Sequence, residues 1–185
     1  MSNKPYVVGI AGGTCSGKST ITARLAAPLE GKCRVTVFNM DRYFKRPGMT
    51  TIAPITRIEY PEHNHPDALD TEKLYADFEA AINGNECDVV LIEGLFALYL
   101  DRIREQLDLK VFIDLKSDER LYRRIKRWLE REDIDKISHR YLDTVRFRHD
   151  ELIEPTRWHA DMVINGTLDA NKGTEMLLHW IENQL

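Results

Sequence analysis

GGTCSGKS, from Gly12 to Ser19, decides how the rest of the chain is arranged. The stretch has the spacing G-x-x-x-x-G-K-[ST], and it lies between an apolar run at residues 6–11 and a helical pattern at residues 18–29. A strand therefore precedes the loop, and a helix begins at its end. Glycines let successive N–H groups point inwards, and the helix N-terminus favours an anion. The stretch predicts a loop that binds the phosphates of a nucleoside triphosphate.

Two side chains of this loop have distinct predicted roles. Lys18 reaches the β- and γ-phosphates, and the hydroxyl of Ser19 holds Mg²⁺. The other residues of the predicted nucleotide site are Gly12, Gly13, Thr14, Cys15, Ser16, Gly17 and Thr20. Cys15 is interpreted as a small loop residue, with an oxidation-prone thiolate as the alternative. For the whole stretch, the alternative is a glycine-rich turn beside a surface lysine.

The composition is that of a globular protein. The 185 residues are 43% hydrophobic and 30% charged, and the net charge of −4 argues against a nucleic-acid binder. No apolar run approaches the ~20 residues that a membrane helix needs, and no signal peptide precedes the first strand. Three cysteines without metal-ligand spacing indicate a reduced protein. We therefore expect a single cytoplasmic domain, residues 1–185, without a nucleic-acid or membrane partner. A homo-oligomer is compatible with this composition.

Apolar runs alternate with helical patterns along the chain. The runs lie at residues 6–11, 34–39, 89–93, 110–115 and 162–165, and the helical patterns at about 18–29, 71–82, 98–107, 117–131, 135–153 and 170–184. Strands separated by helices predict a parallel sheet covered on both faces. The predicted fold class is α/β, a three-layer P-loop NTPase-type fold with a five-stranded parallel sheet and a helical lid. Ligands gather at the carboxyl ends of such strands.

Two acids follow strands at that edge. Glu93 ends the run Val89–Glu93, which is the Walker B pattern, so we predict that it holds or orients Mg²⁺. Asp41 follows the second run, and we predict that it accepts the proton of a substrate hydroxyl or holds Mg²⁺ through water. A turn aspartate and an edge carboxylate with another role are the structural alternatives.

A long connection with four prolines comes next. Residues 45–69 are interpreted as unstructured, and such a stretch in a compact domain usually has a function. We expect residues 42–69 to form the acceptor side of the site. His63, His65 and Asp67 suggest a metal site, although two histidines in a loop are weak evidence for one.

A basic helix follows the fourth strand. Four arginines lie on one stripe of it: Arg120, Arg124, Arg127 and Arg131. The adjacent face is apolar and consists of Leu121, Ile125, Trp128 and Leu129. Because the helix begins at a strand's carboxyl end, we predict arginine–phosphate contacts from a lid at about residues 120–140. A solvated charged face and a nucleic-acid-binding stripe are the alternatives.

Together these blocks resemble the uridine kinase and phosphoribulokinase family of P-loop kinases. Besides the loop, the resemblance rests on DRYFK (Asp41–Lys45), HPDALD (His65–Asp70), IEGLFAL (Ile92–Leu98), DERLYRRIKR (Asp118–Arg127) and ELIEPTRWHADMVI (Glu151–Ile164). The resemblance implies an ATP- and Mg²⁺-dependent kinase that phosphorylates a hydroxyl of a small molecule, with a nucleoside such as uridine or cytidine as the leading acceptor.

The resemblance also implies roles for individual residues. Asp41 matches the catalytic base, and Ser19 and Glu93 match the magnesium shell. Lys18, Arg124 and Arg127 match the residues that stabilise the transferred phosphate, with Arg127 also near the adenine. The residues implied on the acceptor side are Asp41, Tyr43, Asn64, Arg131 and Arg140.

The chain departs from the family pattern where the pyrimidine is recognised. Residues 83–87 lead directly to the Walker B strand, without the hairpin that carries a pyrimidine-binding Tyr and His. Asn64 stands for the usual Asp, Arg140 for a lid Gln, and Arg131-Glu132-Asp133 for the usual Arg-Gly-Arg. A non-pyrimidine nucleoside, a sugar or a sugar phosphate therefore stays open as the acceptor. A regulatory ATP-binding protein without phosphate transfer is the alternative from another class.

Overall fold

The computed structural model of the chain describes residues 4–167 and 171–185. The strands within these residues are β1 (Tyr6–Gly12), β2 (Val35–Asn39), β3 (Met49–Ile52), β4 (Glu59–Glu62), β5 (Val89–Glu93), β6 (Leu109–Asp114) and β7 (Met162–Asn165). Five of them form a parallel sheet in the order β2-β5-β1-β6-β7, and β3 pairs with β4 as an antiparallel hairpin. The predicted five-stranded parallel sheet is confirmed, and its central strand, β1, ends at the glycine-rich loop.

Helices follow the strands in the predicted alternation. They are α1 (Lys18–Glu30), α2 (Thr71–Asn83), α3 (Asp101–Arg104), α4 (Ser117–Trp128), α5 (Ile134–Arg140), α6 (Arg146–Arg148) and α7 (Asn171–Glu182). α6 lies between two π-helical stretches, Tyr141–Val145 and His149–Ile153, so the chain stays helical from α5 to residue 153. Asp70 caps α2, because its carboxylate accepts the backbone N–H of Lys73 at 3.1 Å.

The sheet is buried on both faces, which explains its continuous apolar runs. Side chains alternate along a strand, so Val7 and Val8 of β1 point to opposite layers. Val7 belongs to a buried cluster with Phe78 of α2, and Val8 belongs to a second cluster with Leu25 of α1 and Ile181 of α7. Burial of each such large side chain contributes about 1.5–3 kcal/mol. The two layers hold the carboxyl edge of the sheet as a fixed platform for the loops above it.

The interpretation of residues 45–69 as unstructured is wrong in part. β3 and β4 lie within this connection, and the hairpin turns through residues 53–58. Each strand has four residues, and Pro61 lies inside β4, which weakens the strand signal in the sequence. Proline is tolerated there because each strand of a two-stranded ribbon has one free edge.

Two predicted helices differ in the structure. The pattern at residues 98–107 forms only the short helix α3, because the preceding residues Phe96–Leu98 are all buried and the chain turns there. The apolar face predicted for α4 does not pack on the core: of its twelve residues, all of which the structure describes, Arg120 alone is buried. Leu129, counted in that face, is 54% exposed. The reason is that α4 packs against α5 rather than on the sheet.

The C-terminal helix is described from Asn171 onwards, so its predicted start at residue 170 lies outside the described residues. Leu177 and Ile181 are buried, whereas Trp180 is half-exposed and donates its indole N–H to the hydroxyl of Tyr6 at 3.0 Å. Leu142 is also exposed. None of the helices among the described residues has the length and apolarity needed to span a membrane.

Candidate active site

The loop between β1 and α1 has the backbone of an anion-binding turn. Gly12, Cys15 and Gly17 have φ angles of 144°, 58° and 105°, a conformation that favours glycine. A side chain at Gly12 would also lie 2.5 Å from the carbonyl oxygen of Ile113. No side chain among the described residues caps the start of α1. The first N–H groups of α1 are therefore free to bind phosphate oxygens.

Lys18 occupies the centre of this turn. Its side chain is buried, and Nζ donates to the carbonyl oxygen of Gly13 at 2.9 Å. Burial lowers the pKa of Lys18, while the carboxylates of Glu93 and Asp41 oppose the shift. A triphosphate bound to the loop would place further negative charge beside this ammonium and favour its charged form.

Two of the three residues predicted to bind the metal ion, Ser19 and Glu93, are in contact. The hydroxyl of Ser19 donates to Oε1 of Glu93 at 2.9 Å, although the residues are 74 positions apart in the sequence. Burial raises the pKa of Glu93, and the nearby charge of Lys18 opposes the shift. Hydroxyl and carboxylate oxygens are the ligands that Mg²⁺ prefers, so this pair fits the predicted ion.

Asp41 lies at the same edge of the sheet. In the parallel pairing of β2 with β5, Asn39 is opposite Glu93, and Asp41 follows Asn39 in a short 3₁₀ turn, Met40–Tyr43. The side-chain oxygen of Asn39 accepts the backbone N–H of Asp41 at 2.8 Å and fixes the turn. The carboxylate of Asp41 is exposed to the cleft above the loop, where a substrate hydroxyl can approach it.

These residues line one cleft of about 550 Å³. The predicted site residues on its wall are Thr14, Cys15, Gly17, Lys18, Ser19, Thr20, Asp41, Asn64, Glu93, Arg124, Arg127 and Arg140. Gly12, Gly13 and Ser16 form the buried back of the loop. The structure therefore brings the predicted phosphate, metal and acceptor groups together from five separate parts of the chain.

Two predicted acceptor-side residues do not reach the cleft, which departs from the prediction. The hydroxyl of Tyr43 donates to Asp77 of α2 at 3.0 Å, and burial together with that carboxylate raises the pKa of Tyr43 to about 12. Arg131 is exposed, and its guanidinium lies 5.7 Å from the ring of Trp128. Tyr43 points away because its partner Asp77 lies outside the cleft, whereas Arg131 lies beside the cleft residue Trp128 without lining the cleft itself.

The lid arginines occupy three different environments. Arg124 donates to Oγ1 of Thr14 at 3.3 Å, and its buried Nε has no hydrogen-bond partner among the described residues. Burial lowers the pKa of Arg124. Arg127 is exposed to the cleft, whereas Arg140 is paired with Glu132 across the turn from α4 to α5. An unpaired donor directly above the phosphate loop suits a phosphate oxygen.

Arg120, the first arginine of the predicted stripe, lies behind the loop rather than in the cleft. Its Nε donates to the carbonyl oxygen of Leu115 at 3.0 Å, and a side chain at Gly13 would lie 2.5 Å from its guanidinium. His149 is also buried in this region, and burial, aided by the charges of Arg120 and Lys18, lowers its pKa to about 3. His149 is therefore neutral at pH 7 and adds no charge behind the loop.

Three cleft residues are not among the predicted site residues: Leu95, Arg123 and Trp128. Phe44, Pro61 and His63 lie within the predicted acceptor side, residues 42–69, but were not predicted individually as substrate-binding residues. Arg123 was not predicted because it lies outside the arginine stripe that begins at Arg120. The face of α4 that lines the cleft is rotated from that stripe by about one residue. Trp128 was assigned only to the apolar face of the helix, although a tryptophan next to lid arginines is itself a signal for stacking on a base.

The alternative metal site at the two histidines is not supported. Nδ1 of His65 accepts the backbone N–H of Asp67 at 3.2 Å and so caps the next turn. The ring of His63 packs edge-on against Phe44, with 5.0 Å between ring centroids. Among the described residues there is no group of three or more His, Cys, Asp or Glu side chains placed to hold a metal ion.

A phosphate-binding loop at the edge of a five-stranded parallel sheet, with an arginine-bearing helix above it, is the arrangement of a P-loop kinase. The sequence model of the Phosphoribulokinase / Uridine kinase family matches residues 56–171, and the chain belongs to this family. Consistent with that membership, the chain is an ATP-dependent small-molecule kinase.

Curated relatives extend the match over nearly the whole chain. The chain is 30% identical to a uridine kinase of Lactobacillus helveticus, over 98% of the chain and 96% of that protein. It is 31% identical to a uridine kinase of Clostridium tetani, over 89% and 88%. The uridine/cytidine kinase UKL1 of Arabidopsis thaliana is 27% identical, and there the chain spans 42% of the longer protein.

Solved structures share the fold at lower identity. A candidate fructose transport system kinase from Silicibacter sp. TM1040 is similar with a TM-score of 0.68 and 22% identity, over 86% of this chain and 89% of that one. Shikimate kinase from Acinetobacter baumannii is similar with a TM-score of 0.56 and 18% identity, over 98% and 96%. At these identities the likeness shows the fold alone.

Proposed function

We propose that this chain transfers the γ-phosphoryl group of ATP to a hydroxyl group of a nucleoside, with uridine or cytidine as the first candidates and Mg²⁺ as the metal ion. The observation that carries the proposal is the Ser19–Glu93 contact beside Lys18, with Asp41 exposed in the same cleft. The curated relatives that the chain matches along nearly their full length are named uridine kinases. We also propose that residues 1–185 form one cytoplasmic kinase domain, with a lid at about residues 120–140 and an acceptor side at residues 42–69.

The donor side of the proposed mechanism uses positioning and charge. The loop N–H groups and Lys18 hold the β- and γ-phosphates, while Arg124 and Arg127 neutralise charge that spreads over the transferred group. Ser19 and Glu93, with Asp41 through water, would hold Mg²⁺, and the ion would supply positive charge against the charge of the phosphates. Arg123, whose neighbour in space is Gly17, adds a further cation on the same wall.

On the acceptor side, Asp41 orients the attacking hydroxyl and accepts its proton as the new O–P bond forms. The wall beside it combines the rings of Phe44 and His63 and the apolar edge of Pro61 with the amide of Asn64. Aromatic and apolar surfaces suit a flat heterocycle, and an amide suits the hydroxyls of a ribose. This composition favours a nucleoside over a simple sugar.

An acceptor other than a pyrimidine nucleoside is the second candidate. α2 ends at Asn83 and β5 begins at Val89, so the link between them is a short turn rather than a hairpin. No residue of that turn lines the cleft, within the part of the chain that the structure describes. The base would therefore be recognised without a contribution from this turn.

The deciding experiment is ADP release from Mg·ATP with a panel of nucleosides, nucleotides, sugars and sugar phosphates. We expect release that depends on a nucleoside, with a phosphorylated product visible by mass spectrometry. Release stimulated by a sugar or a sugar phosphate and not by nucleosides would contradict the nucleoside assignment. A slow release that no alcohol stimulates would contradict the kinase and favour a regulatory ATP-binding protein.

Replacement of Glu93 by Gln tests the metal assignment. The amide keeps a hydrogen bond to Ser19 but removes the negative charge that attracts the ion, so the Mg²⁺ concentration at half-maximal rate should rise about 10- to 100-fold. The KM of ATP measured at saturating Mg²⁺ should change little. Glu79→Gln, which removes an exposed partner of Arg102, is the matched control. An unchanged Mg²⁺ dependence in Glu93→Gln would show that Glu93 is not part of the metal shell.

A further inference from the structure

Glu62 is a buried acid on the acceptor side of the cleft that the mechanism does not use. It is the last residue of β4, and its side chain is 1% exposed. Pro61 before it and His63 after it both line the cleft, as does Asn64. Because side chains alternate along a strand, Glu62 points away from the cleft while its two neighbours point into it.

Each oxygen of the Glu62 carboxylate has its own partner. Oε1 accepts the backbone N–H of Asn64 at 2.6 Å, and Oε2 accepts Nε–H of Arg148 at 3.2 Å. The first bond fixes the backbone of a predicted substrate-binding residue. The second bond joins the acceptor wall, the cleft residues between 44 and 64, to α6. The two bonded residues are 86 positions apart in the chain.

The remaining nitrogens of the Arg148 guanidinium form further hydrogen bonds, one of them to the other strand of the hairpin, β3. Arg148 donates to Oγ1 of Thr51 in β3 at 3.5 Å and to the exposed carboxylate of Glu151 at 2.9 Å. The same helical segment contacts the hairpin again through Asp143, whose carboxylate accepts the hydroxyls of Thr56 at 2.9 Å and Tyr60 at 2.8 Å. The hairpin is thus fastened to this segment by polar groups along its length.

We propose that Glu62 and Arg148 are positioning residues that set the acceptor side of the cleft, an inference that rests on the proposed function. A buried carboxylate is tolerated here because a cation and an N–H group satisfy it. Without Arg148 the carboxylate must regain water, and the end of β4 must shift to allow this. Such a shift moves Pro61, His63 and Asn64 together, whereas the phosphate loop follows β1 of the five-stranded sheet, to which the hairpin does not belong, and keeps its position.

The test compares four variants by steady-state kinetics with the acceptor found for the wild type. Arg148→Met should raise the KM of the acceptor about 10- to 100-fold and leave the KM of ATP within about twofold. Glu62→Gln/Arg148→Met should recover most of this loss, because the buried charge that lacks a partner is gone and the Gln oxygen still accepts the N–H of Asn64. Glu62→Gln alone should be mild. Glu151→Gln removes the exposed partner of the same arginine and should leave both KM values unchanged.

Three outcomes would overturn the proposal: an acceptor KM in Arg148→Met equal to that of Glu151→Gln, an equal rise in both KM values, or no recovery in the double variant. If Arg148→Met does not fold, Arg148→Lys takes its place. It keeps a cation but cannot reach Thr51, Glu62 and Glu151 at once, and the same ranking of KM values is required.

Hydrogen exchange separates a failure of this proposal from a failure of the proposed function. If the wild type phosphorylates no alcohol, the proposed function fails. The role of the ion pair can still be tested in that case, because amide exchange of residues 59–64 is measured without substrate. Arg148→Met should speed exchange there and the double variant should restore its protection, while Glu151→Gln should not change it. Equal exchange in wild type and Arg148→Met would show that the ion pair does not hold the acceptor wall.

Discussion

Lys18→Met should reduce kcat by about 10³-fold or more, because removal of one preorganised donor at a site of developing charge typically costs about 10²–10³ and this ammonium also holds the ground-state phosphates. Methionine fills a similar volume, so the loop should keep its backbone. Lys32→Met, at an exposed lysine paired with Glu182, is the matched control and should keep the wild-type rate. A wild-type kcat in Lys18→Met would show that Lys18 and its loop do not take part in phosphoryl transfer.

The same substitution should not destabilise the protein without nucleotide. Burial holds the pKa of Lys18 below the 10.5 of an ordinary lysine, so the unfolded chain binds more protons between the two values. The free energy of unfolding of the wild type therefore rises with pH in that interval, and this dependence should disappear in Lys18→Met. At pH 7 the variant should be at least as stable in urea as the wild type, since the charged form that burial penalises is absent. A large loss of stability would show that the hydrogen bond to Gly13 outweighs the burial of the charge.

The elements best predicted from the sequence are those whose pattern depends on local chemistry. The loop from Gly12 to Ser19 needs glycines at fixed positions, and the strand that ends in Glu93 is an uninterrupted apolar run. Buried parallel strands leave such runs because both faces of the sheet are covered. Asp41 and Glu93 could then be placed at one edge, since parallel strands end on the same side.

The lid was predicted less well because its orientation is set by contacts between helices. The arginine stripe identified a helix at the correct place, but it could not show that Arg120 turns behind Gly13 while Arg123 turns into the cleft. Both faces of α4 contain arginines, so charge alone does not tell which face is covered. The position of α5 decides this, and that position depends on packing that a periodic pattern does not encode.

The acceptor wall was the hardest part to predict. Its residues lie in a hairpin of two four-residue strands, and the tie between Glu62 and Arg148 spans 86 positions. Tyr43 shows the same limit. The family resemblance implied that it lies on the acceptor side of the cleft, but its hydroxyl donates a hydrogen bond to Asp77 on α2. Pairs of polar groups far apart in sequence leave no periodic signal, so their partners become visible only in the fold.

Asp41→Asn should lower kcat by about 10²–10⁴-fold, the range typical for loss of a positioned general base, and should leave the KM of ATP within about twofold. The reason lies in the geometry: the backbone of the turn Met40–Tyr43 is held by Asn39, and the side chain of Asp41 is exposed in the cleft. An asparagine keeps the turn and the shape of the wall but cannot take the proton of the attacking hydroxyl. Asp118→Asn, at an exposed acid in the first turn of α4, is the control for loss of one negative charge.

The two predicted roles of Asp41 give different results in this variant. If Asp41 acts as the base, added Mg²⁺ does not restore kcat, because the ion cannot replace the proton acceptor. If Asp41 acts through water on the metal ion, the rate recovers as Mg²⁺ is raised, since the remaining ligands Ser19 and Glu93 still bind the ion more weakly. A wild-type kcat at ordinary Mg²⁺ would exclude both roles. The phosphate loop would then act without a side chain from the turn after β2, and the acceptor hydroxyl would have to lose its proton directly to the transferred phosphate.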